Sequence, residues 1–570
     1  MAKLRHLKIN HFRGIESFEQ SFSDGITCII GRGDSCKSTI LDAIAYTFAQ
    51  SWSLRLNDSD FYMCDTSSPI IIEGVVSDIP DDLISKYCNH LRGITLDGQL
   101  VDDMESDDAI NALEALTIRL SVGRDLEPSW EVVSYNGSDP TVIKSADRSK
   151  LNVFMISDYA DRHFSLNKGN PLYSLYKQLN NEPLPDNENL VLDVIRNAKN
   201  AFDENIGNRF ESVIEKIRDV AGELGITLHE MKAMLDHKDI AINENKVSIH
   251  EDGIPFRLKG KGSKRLLSLA IQLAQTQHSG VILIDEIEQG LEPDRVQHLV
   301  NVLSKYEDKQ IIITTHSSNV IVEIPCTSLY IMRKESHKLQ YVEREMQGCI
   351  RKNPEAFFAK KILVCEGATE IGFCRSINEY RISHNKTSAS SMGIRFADGS
   401  GNEMVNYIIG FKNLSYPTAL FCDSDCTKVN NRKQEFRDFG IYVIDYEDGY
   451  SIEQQIFKDA PWGIVKELIQ IAIDKIVDDG GKTVDDAEKQ IFESVNARLI
   501  NKMTHTDNWH DEEREDLRIA LGMTAKKNEW YKRQTYGERI GKSILKSYSE
   551  LAEGCGIKRI IDNISTWIDA

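Results

Sequence analysis

Residues 4–10 alternate apolar and polar side chains, which predicts a strand with one buried face. A short apolar run follows at Gly25-Ile-Thr-Cys-Ile-Ile30 and stops at Gly31; from Ile40 the pattern turns helix-like. Two more apolar runs, Val281–Ile284 and Ile311–Ile313, have the length of buried strands. After Pro354 the pattern restarts, with Ile362–Cys365 and Thr418–Cys422 as strands that each run into a carboxylate. Between these parts, residues 165–235 form an insertion in which Asn189–Gly222 is rich in helix formers with apolar residues at helical spacing. Its length suits a short helical arm, serving either as a dimerisation element or as a packed subdomain. No apolar stretch reaches 18 residues, so no membrane partner is expected.

Composition narrows the picture. The 570 residues, 41% hydrophobic and 27% charged, read as several soluble globular domains. Sixty-eight basic residues against 88 acidic ones give a net charge of -20, which disfavours indiscriminate nucleic-acid binding but leaves room for a local basic groove. Eleven cysteines without a CxxC pair, and an N-terminus without a signal-peptide core, lead us to expect a cytoplasmic protein.

Candidate chemistry in the first half centres on Gly31-Arg-Gly33-Asp-Ser-Cys36-Lys37-Ser38-Thr39, placed between a strand and a helix. That is the context of a phosphate-binding loop, in which backbone N–H groups and the helix N-terminus cradle phosphates. Lys37 would reach the β- and γ-phosphates of ATP and Ser38 would hold magnesium. Cys36 stands where the pattern GxxxxGK[ST] has glycine; a positive φ there would cost roughly 1 kcal/mol or more. The strand Val281–Ile284 ends in Asp285 and Glu286, one carboxylate to support the metal and one to polarise the attacking water. Gly290-Leu-Glu-Pro-Asp294 resembles the D-loop of ABC ATPases, His316 their switch-loop histidine, and Lys259-Gly260-Lys-Gly262-Ser their signature motif, with Lys259 in place of the usual serine. In that family the signature of one protomer completes the ATP site of another, so the resemblance implies a dimer of heads.

In the second half, Cys365-Glu366-Gly-Ala-Thr-Glu370 sets two glutamates four residues apart across a strand-to-helix corner, and Asp423-Ser-Asp425 ends a later strand. Residues i and i+2 of an extended chain share a face, so both aspartates point one way. Four carboxylates together repel unless cations join them, and hard oxygen ligands suit Mg2+ or Mn2+. Ala397-Asp-Gly-Ser-Gly401 lies between them, and Glu453 offers a fifth carboxylate. This ordered set resembles the TOPRIM domain. Near the C-terminus, Lys526, Lys527, Trp530, Tyr531, Lys532, Arg533 and Tyr536 mix basic and aromatic residues, a composition suited to phosphate contact and base stacking.

An ABC head followed by TOPRIM resembles, over nearly the whole chain, the OLD (overcoming lysogenization defect) family of nucleases, a layout shared by the Gabija nuclease subunit and retron-associated effectors. The expected fold is α/β: an ABC-type ATPase head over 1–350 with the helical insertion, a TOPRIM domain over 355–475, and a helical region over 476–570. The resemblance implies an ATP-regulated, two-metal DNA endonuclease of anti-phage defence, with Glu366, Glu370, Asp423, Asp425 and Glu453 as ligands. It also implies a lysine near the scissile phosphate, for which Lys542 is the candidate. The implied partners are DNA, a second copy of the chain in a dimer or tetramer, and a retron RNA–DNA molecule or second defence protein. A sensor or clamp with a silent TOPRIM site, and a topoisomerase-like enzyme, stay open as alternatives.

Overall fold

The computed structural model describes residues 2–95, 98–102, 112–135, 137–156, 160–166, 170–179, 209–235, 247–275, 280–306, 309–333, 338–424, 427–504 and 509–570. The chain divides into two compact units, Met1–Val342 and Glu343–Ala570.

The first unit is built on two sheets. An antiparallel sheet runs in the order Ile15–Ser21, Lys3–Phe12, Ile70–Ser77, Leu113–Val122, Arg92–Ile94 and Leu100–Val101, with Pro128–Val133 paired to Leu113–Val122. The alternating residues 4–10 fall in Lys3–Phe12, with Leu4, Leu7 and Ile9 fully buried. The second sheet orders Val153–Ile156, Val281–Ile284, Gln310–Thr315, Gly25–Ile30, Leu329–Met332 and Leu339–Tyr341, and its first five strands are mutually parallel. The parallel strands are largely apolar because both faces are covered: all of Val281–Ile284 and Gln310–Thr315 is buried, the latter with Gln310, Thr314 and Thr315 at its ends. The helix Lys37–Thr47 buries Ile40, Leu41, Ala43 and Ile44 in a core shared by the two sheets. Of the insertion, residues 180–208 lie outside the described residues, and with them most of Asn189–Gly222. Its described end, 209–223, is helical. There Phe210 stacks on Tyr176 at 4.7 Å between ring centroids, so this end is packed onto its own unit.

The second unit carries a parallel sheet in the order Ile394–Asp398, Lys361–Cys365, Thr418–Cys422, Tyr442–Asp445. The chain leaves Lys361–Cys365 towards one side and returns to its other side, which opens a crevice between the C-terminal ends of Lys361–Cys365 and Thr418–Cys422. The helices Trp462–Gly480, Val484–Asn496, Glu515–Lys527, Gln534–Lys546 and Gly556–Asp569 share one apolar core with this sheet, from Leu363 through Ile568. Two helices cross closely, Ala368–Ser383 and Gln534–Lys546. A Cβ on Gly372 would stand 2.1 Å from the Gln534 carbonyl oxygen, and one on Gly537 would stand 2.2 Å from that of Thr369. Glycine at both positions is what lets the backbones meet.

Among the described residues no helix is long and apolar enough to cross a membrane.

Candidate nucleotide and carboxylate sites

Lys37–Thr47 starts from Cys36, whose backbone is left-handed at φ 67°, ψ 19°. Glycine takes that conformation without strain, so the cysteine carries the cost anticipated for it, roughly 1 kcal/mol or more. Lys37 is 5% exposed and folds back onto the loop, donating to the carbonyls of Gly31 at 3.0 Å and Arg32 at 2.9 Å. Burial lowers its pKa to about 8, against the opposing pull of Asp285, Glu286 and Glu288. A Cβ on Gly31 would stand 2.4 Å from the Met332 carbonyl oxygen, while at Gly33 the space is open; Thr39 lies half-buried beyond Ser38.

The parallel order of the sheet sets the ends of Gly25–Ile30, Gln310–Thr315 and Val281–Ile284 side by side. Ser38 Oγ therefore donates to Asp285 Oδ1 at 3.0 Å, across 247 residues of sequence, and Thr314 Oγ1 donates to the same oxygen at 2.5 Å. The Glu286 N–H donates to Thr314 Oγ1 at 2.8 Å. Glu288 receives the Thr315 hydroxyl and the His316 N–H, both at 2.6 Å, which fixes the backbone at His316. Burial and the Lys37 charge lower the pKa of the His316 ring. From the helix Lys261–Gln275, the Arg265 guanidinium donates to the carbonyls of Asp285 and, at 2.8 Å, Glu286. Gly262 permits a tight approach to the D-loop, since a Cβ there would stand 2.4 Å from the Gly290 carbonyl oxygen; Gly260 beside it is unobstructed. A cavity of about 1180 Å³ borders Asp285, Glu286, Asp42 and Lys264. Arg265, Thr314 and Glu288 escaped the sequence reading. The two threonines ending an otherwise apolar strand were the available signal.

In the second unit, Glu366 and Asp423 follow the two central strands and face the crevice. Asp423 N–H donates to Glu366 Oε2 at 2.9 Å, and Ile452 N–H, at the start of the helix Ile452–Asp459, donates to Asp423 Oδ1 at 3.0 Å. Glu370 Oε2 accepts the Gly367 N–H at 3.0 Å, and Glu453 accepts the Ser451 hydroxyl at 2.8 Å. Glu370 and Glu453 are 5% and 7% exposed. Burial and the Glu366 charge push the Glu370 carboxyl up to about 8. Burial, Glu370 and Glu366 push Asp423 well up, and burial raises Glu453. The four are thus electrostatic neighbours, and each is held by a protein donor. Among the described residues no group of three or more His, Cys, Asp or Glu side chains is arranged to hold a metal ion. Asp425 lies outside the described residues. The Gly399–Gly401 turn laces onto the central strand, with Gly399 N–H donating to the Cys365 carbonyl at 2.7 Å and Gly401 N–H to that of Glu366 at 2.9 Å.

The aromatic reading of the C-terminal segment needs correction. Trp530, Tyr531 and Tyr536 are 1%, 0% and 4% exposed, so they fill the core and cannot stack on bases. The Tyr531 hydroxyl is spent on the Leu468 carbonyl at 2.8 Å. Lys542 pairs with Glu379 at 2.8 Å, nine residues beyond Glu370 on Ala368–Ser383, and borders a separate groove with Tyr380 and Tyr548. That offset is about 13 Å of helix. Lys532 feels the carboxylates: burial lowers its pKa, but the Glu529 hydrogen bond and the charges of Glu529, Glu453 and Glu370 outweigh it.

Three family models match the chain. An AAA ATPase domain matches residues 2–115, the AAA domain associated with the AbiEii toxin of type IV TA systems matches 124–323, and the "Overcoming lysogenization defect protein-like, TOPRIM domain" matches 357–425. Solved structures similar to the chain include an Smc head bound to the C-terminal winged-helix domain of ScpA, 16% identical, covering 60% of this chain and 99% of that one at a TM-score of 0.36. The recombination mediator protein RecF is 14% identical, covering 60% and 98% at 0.35. The SMC head domain from Thermotoga maritima is 16% identical, covering 58% and 94% at 0.27. The family matches, on the two units described above, make this chain AAA/ABC-type ATPase domains followed by an OLD-like TOPRIM domain, the architecture of the OLD family nucleases.

Proposed function

We propose that the chain is an ATP-regulated, divalent-metal-dependent DNA endonuclease acting in bacterial anti-phage defence. The observation that carries this reading is the convergence of Glu366, Glu370, Asp423 and Glu453 at the crevice of the parallel sheet, where burial and neighbouring carboxylates resist the ionisation of Glu370, Asp423 and Glu453. Hard oxygen donors that cannot all ionise alone are a fit for divalent cations. Glu366, Glu370, Asp423, Asp425 and Glu453 would hold Mg2+ or Mn2+. Two such ions would supply a water ionised near neutral pH and would neutralise the charge of a phosphodiester.

The chain's own residues do the rest. The helix start at Ile452 orients Asp423 through its N–H, and Ser451 orients Glu453. Lys532, exposed beside Glu453 and Glu370, meets the backbone phosphate and stabilises charge that grows on its oxygens. Lys526, Lys527 and Arg533 are exposed on the same segment and hold flanking phosphates, the local patch an acidic chain needs.

In the head, Lys37 would exchange the Gly31 and Arg32 carbonyls for the β- and γ-phosphates of ATP. Ser38 and Asp285 would hold the nucleotide's magnesium, and Glu286 polarises the attacking water. Gly262, set against the D-loop, and the open Gly260 beside it present the signature to a second head, so ATP pairs two copies. ATP binding then governs cleavage through that pairing.

The testing experiment incubates plasmid with purified protein and Mg2+ or Mn2+, with and without ATP. Nicked or linear DNA from the parent but not from Asp423→Ala supports the reading. Altered linking number with covalent protein–DNA adducts would replace it with a topoisomerase. Unchanged plasmid under every condition would favour the sensor, in which the carboxylates stay with the protein donors that hold them here. Defence is tested separately: loss of phage protection in cells carrying Asp423→Ala is expected.

A further inference from the structure

Tyr446 follows the strand Tyr442–Asp445, just as Asp423 follows Thr418–Cys422. The two strands are parallel neighbours with Cys422 level with Asp445, so Asp423 and Tyr446 stand side by side at the C-terminal edge of the sheet. The Tyr446 ring packs on Phe421 at 5.5 Å between centroids, and its side chain shares a core with Cys365 and Cys374, which flank Glu370 on the carboxylate helix and strand. Its backbone carbonyl accepts the Ser424 hydroxyl at 2.8 Å, inside the turn that bears the aspartates. The residue is 1% exposed, yet its phenolic oxygen has no hydrogen-bond partner.

A buried hydroxyl is almost always paired, and an exception calls for an explanation. Here the surrounding groups supply one. The hydroxyl is a hydrogen-bond donor, and the Glu370 and Asp423 carboxylates are close enough to act on it electrostatically. Those acceptors are presently engaged elsewhere: Glu370 with the Gly367 N–H and Asp423 with the Ile452 N–H.

The geometry points to Tyr446 as a positioning residue of the carboxylate site, whose hydroxyl donates to Glu370 once that carboxylate turns from Gly367 to a divalent cation. The donor would fix one carboxylate oxygen and leave the other for the ion, as groups behind metal ligands commonly do. The inference rests on the proposed metal-binding role of these carboxylates. Buried this deeply, Tyr446 cannot reach DNA and is not a nucleophile.

The test is Mn2+ titration by calorimetry on the full chain without DNA, comparing parent, Tyr446→Phe, Tyr446→Leu and Asp423→Ala, with thermal melting of each in chelator. Tyr446→Phe keeps the ring and removes only the unpartnered oxygen. Its melting temperature in chelator should equal or exceed the parent's, while Mn2+ affinity should fall roughly tenfold or more. Tyr446→Leu should lose both. Parent-like Mn2+ affinity in Tyr446→Phe, together with loss of binding in Asp423→Ala, would overturn the role of Tyr446 and leave the metal site standing. Parent-like affinity in Asp423→Ala would instead overturn the metal site on which the inference rests. A melting temperature for Tyr446→Phe in chelator well below the parent's would also overturn it, by showing that the hydroxyl already supports the metal-free fold.

Discussion

The phosphate loop and the carboxylate crevice both gather charge at the ends of parallel strands, but they balance it in opposite ways. In the loop, a buried ammonium faces three acids, and each functional atom already has a partner: Lys37 with two carbonyls, Asp285 with two hydroxyls. In the crevice, like charges face one another, and Lys532, a cation whose pKa they raise, lies largely in solvent. A site of mixed sign is stable as it stands. A site of one sign keeps its protons until something positive arrives.

The largest difference should appear in activity. Asp423→Ala removes a proposed ligand and should abolish cleavage, read as intact plasmid in Mg2+, while ATP affinity in the head stays at the parent value. Retained cleavage would break the contrast at its root. Lys37→Ala should weaken ATP binding at least tenfold by calorimetry, because the phosphates lose their charge-assisted donor. Unchanged affinity would mean that the loop does not hold phosphate.

The pH dependence should then separate the two regions by sign. Glu370 is held near 8, above its ordinary 4.5, so between those values the unfolded chain has shed a proton that the folded chain retains. Stability without metal should therefore be full below about pH 4.5 and fall as pH rises towards 8, by a few kcal/mol at most. Asp423 and Glu453 add in the same direction. Denaturant melts of the second unit in chelator measure this, and Mn2+ should flatten the slope. Lys37 does the reverse: its pKa is lowered from 10.5 to about 8, so the head gains stability only as pH climbs through that upper window. A rising slope for the metal-free second unit between pH 5 and 8 would contradict the one-sign description.

A smaller effect should divide the two lysines. Lys532→Ala should lower the cleavage rate at saturating DNA more than it weakens binding, whereas Lys542→Ala should leave that rate within about twofold. The reverse pattern would place Lys542, and not Lys532, at the scissile phosphate.

Much of this was legible in the chain. Strand, loop and helix around Lys37, and the carboxylates ending Val281–Ile284, Lys361–Cys365 and Thr418–Cys422, are contiguous patterns that local periodicity exposes. What failed was composition read without periodicity. Trp530, Tyr531 and Tyr536 sit among basic residues and so suggested base stacking, yet Tyr536, Ile540 and Ile544 recur every four residues and face inwards. What could not be read were contacts between distant segments. Arg265 meets Asp285 because a helix crosses a sheet, and Tyr446 stands level with Asp423 because two strands align; neither leaves a mark in spacing.

The close crossing of Ala368–Ser383 and Gln534–Lys546 also bears on how the protein is made. Thr369 donates its hydroxyl to the Tyr531 carbonyl at 3.0 Å, across 162 residues. During translation the helix bearing Glu370 therefore leaves the ribosome long before the segment that packs over it. Contacts of such long sequence separation form late. A nascent or truncated chain would expose the carboxylate helix without its cover, so the core of the second unit closes only when synthesis has passed the helix Gly556–Asp569.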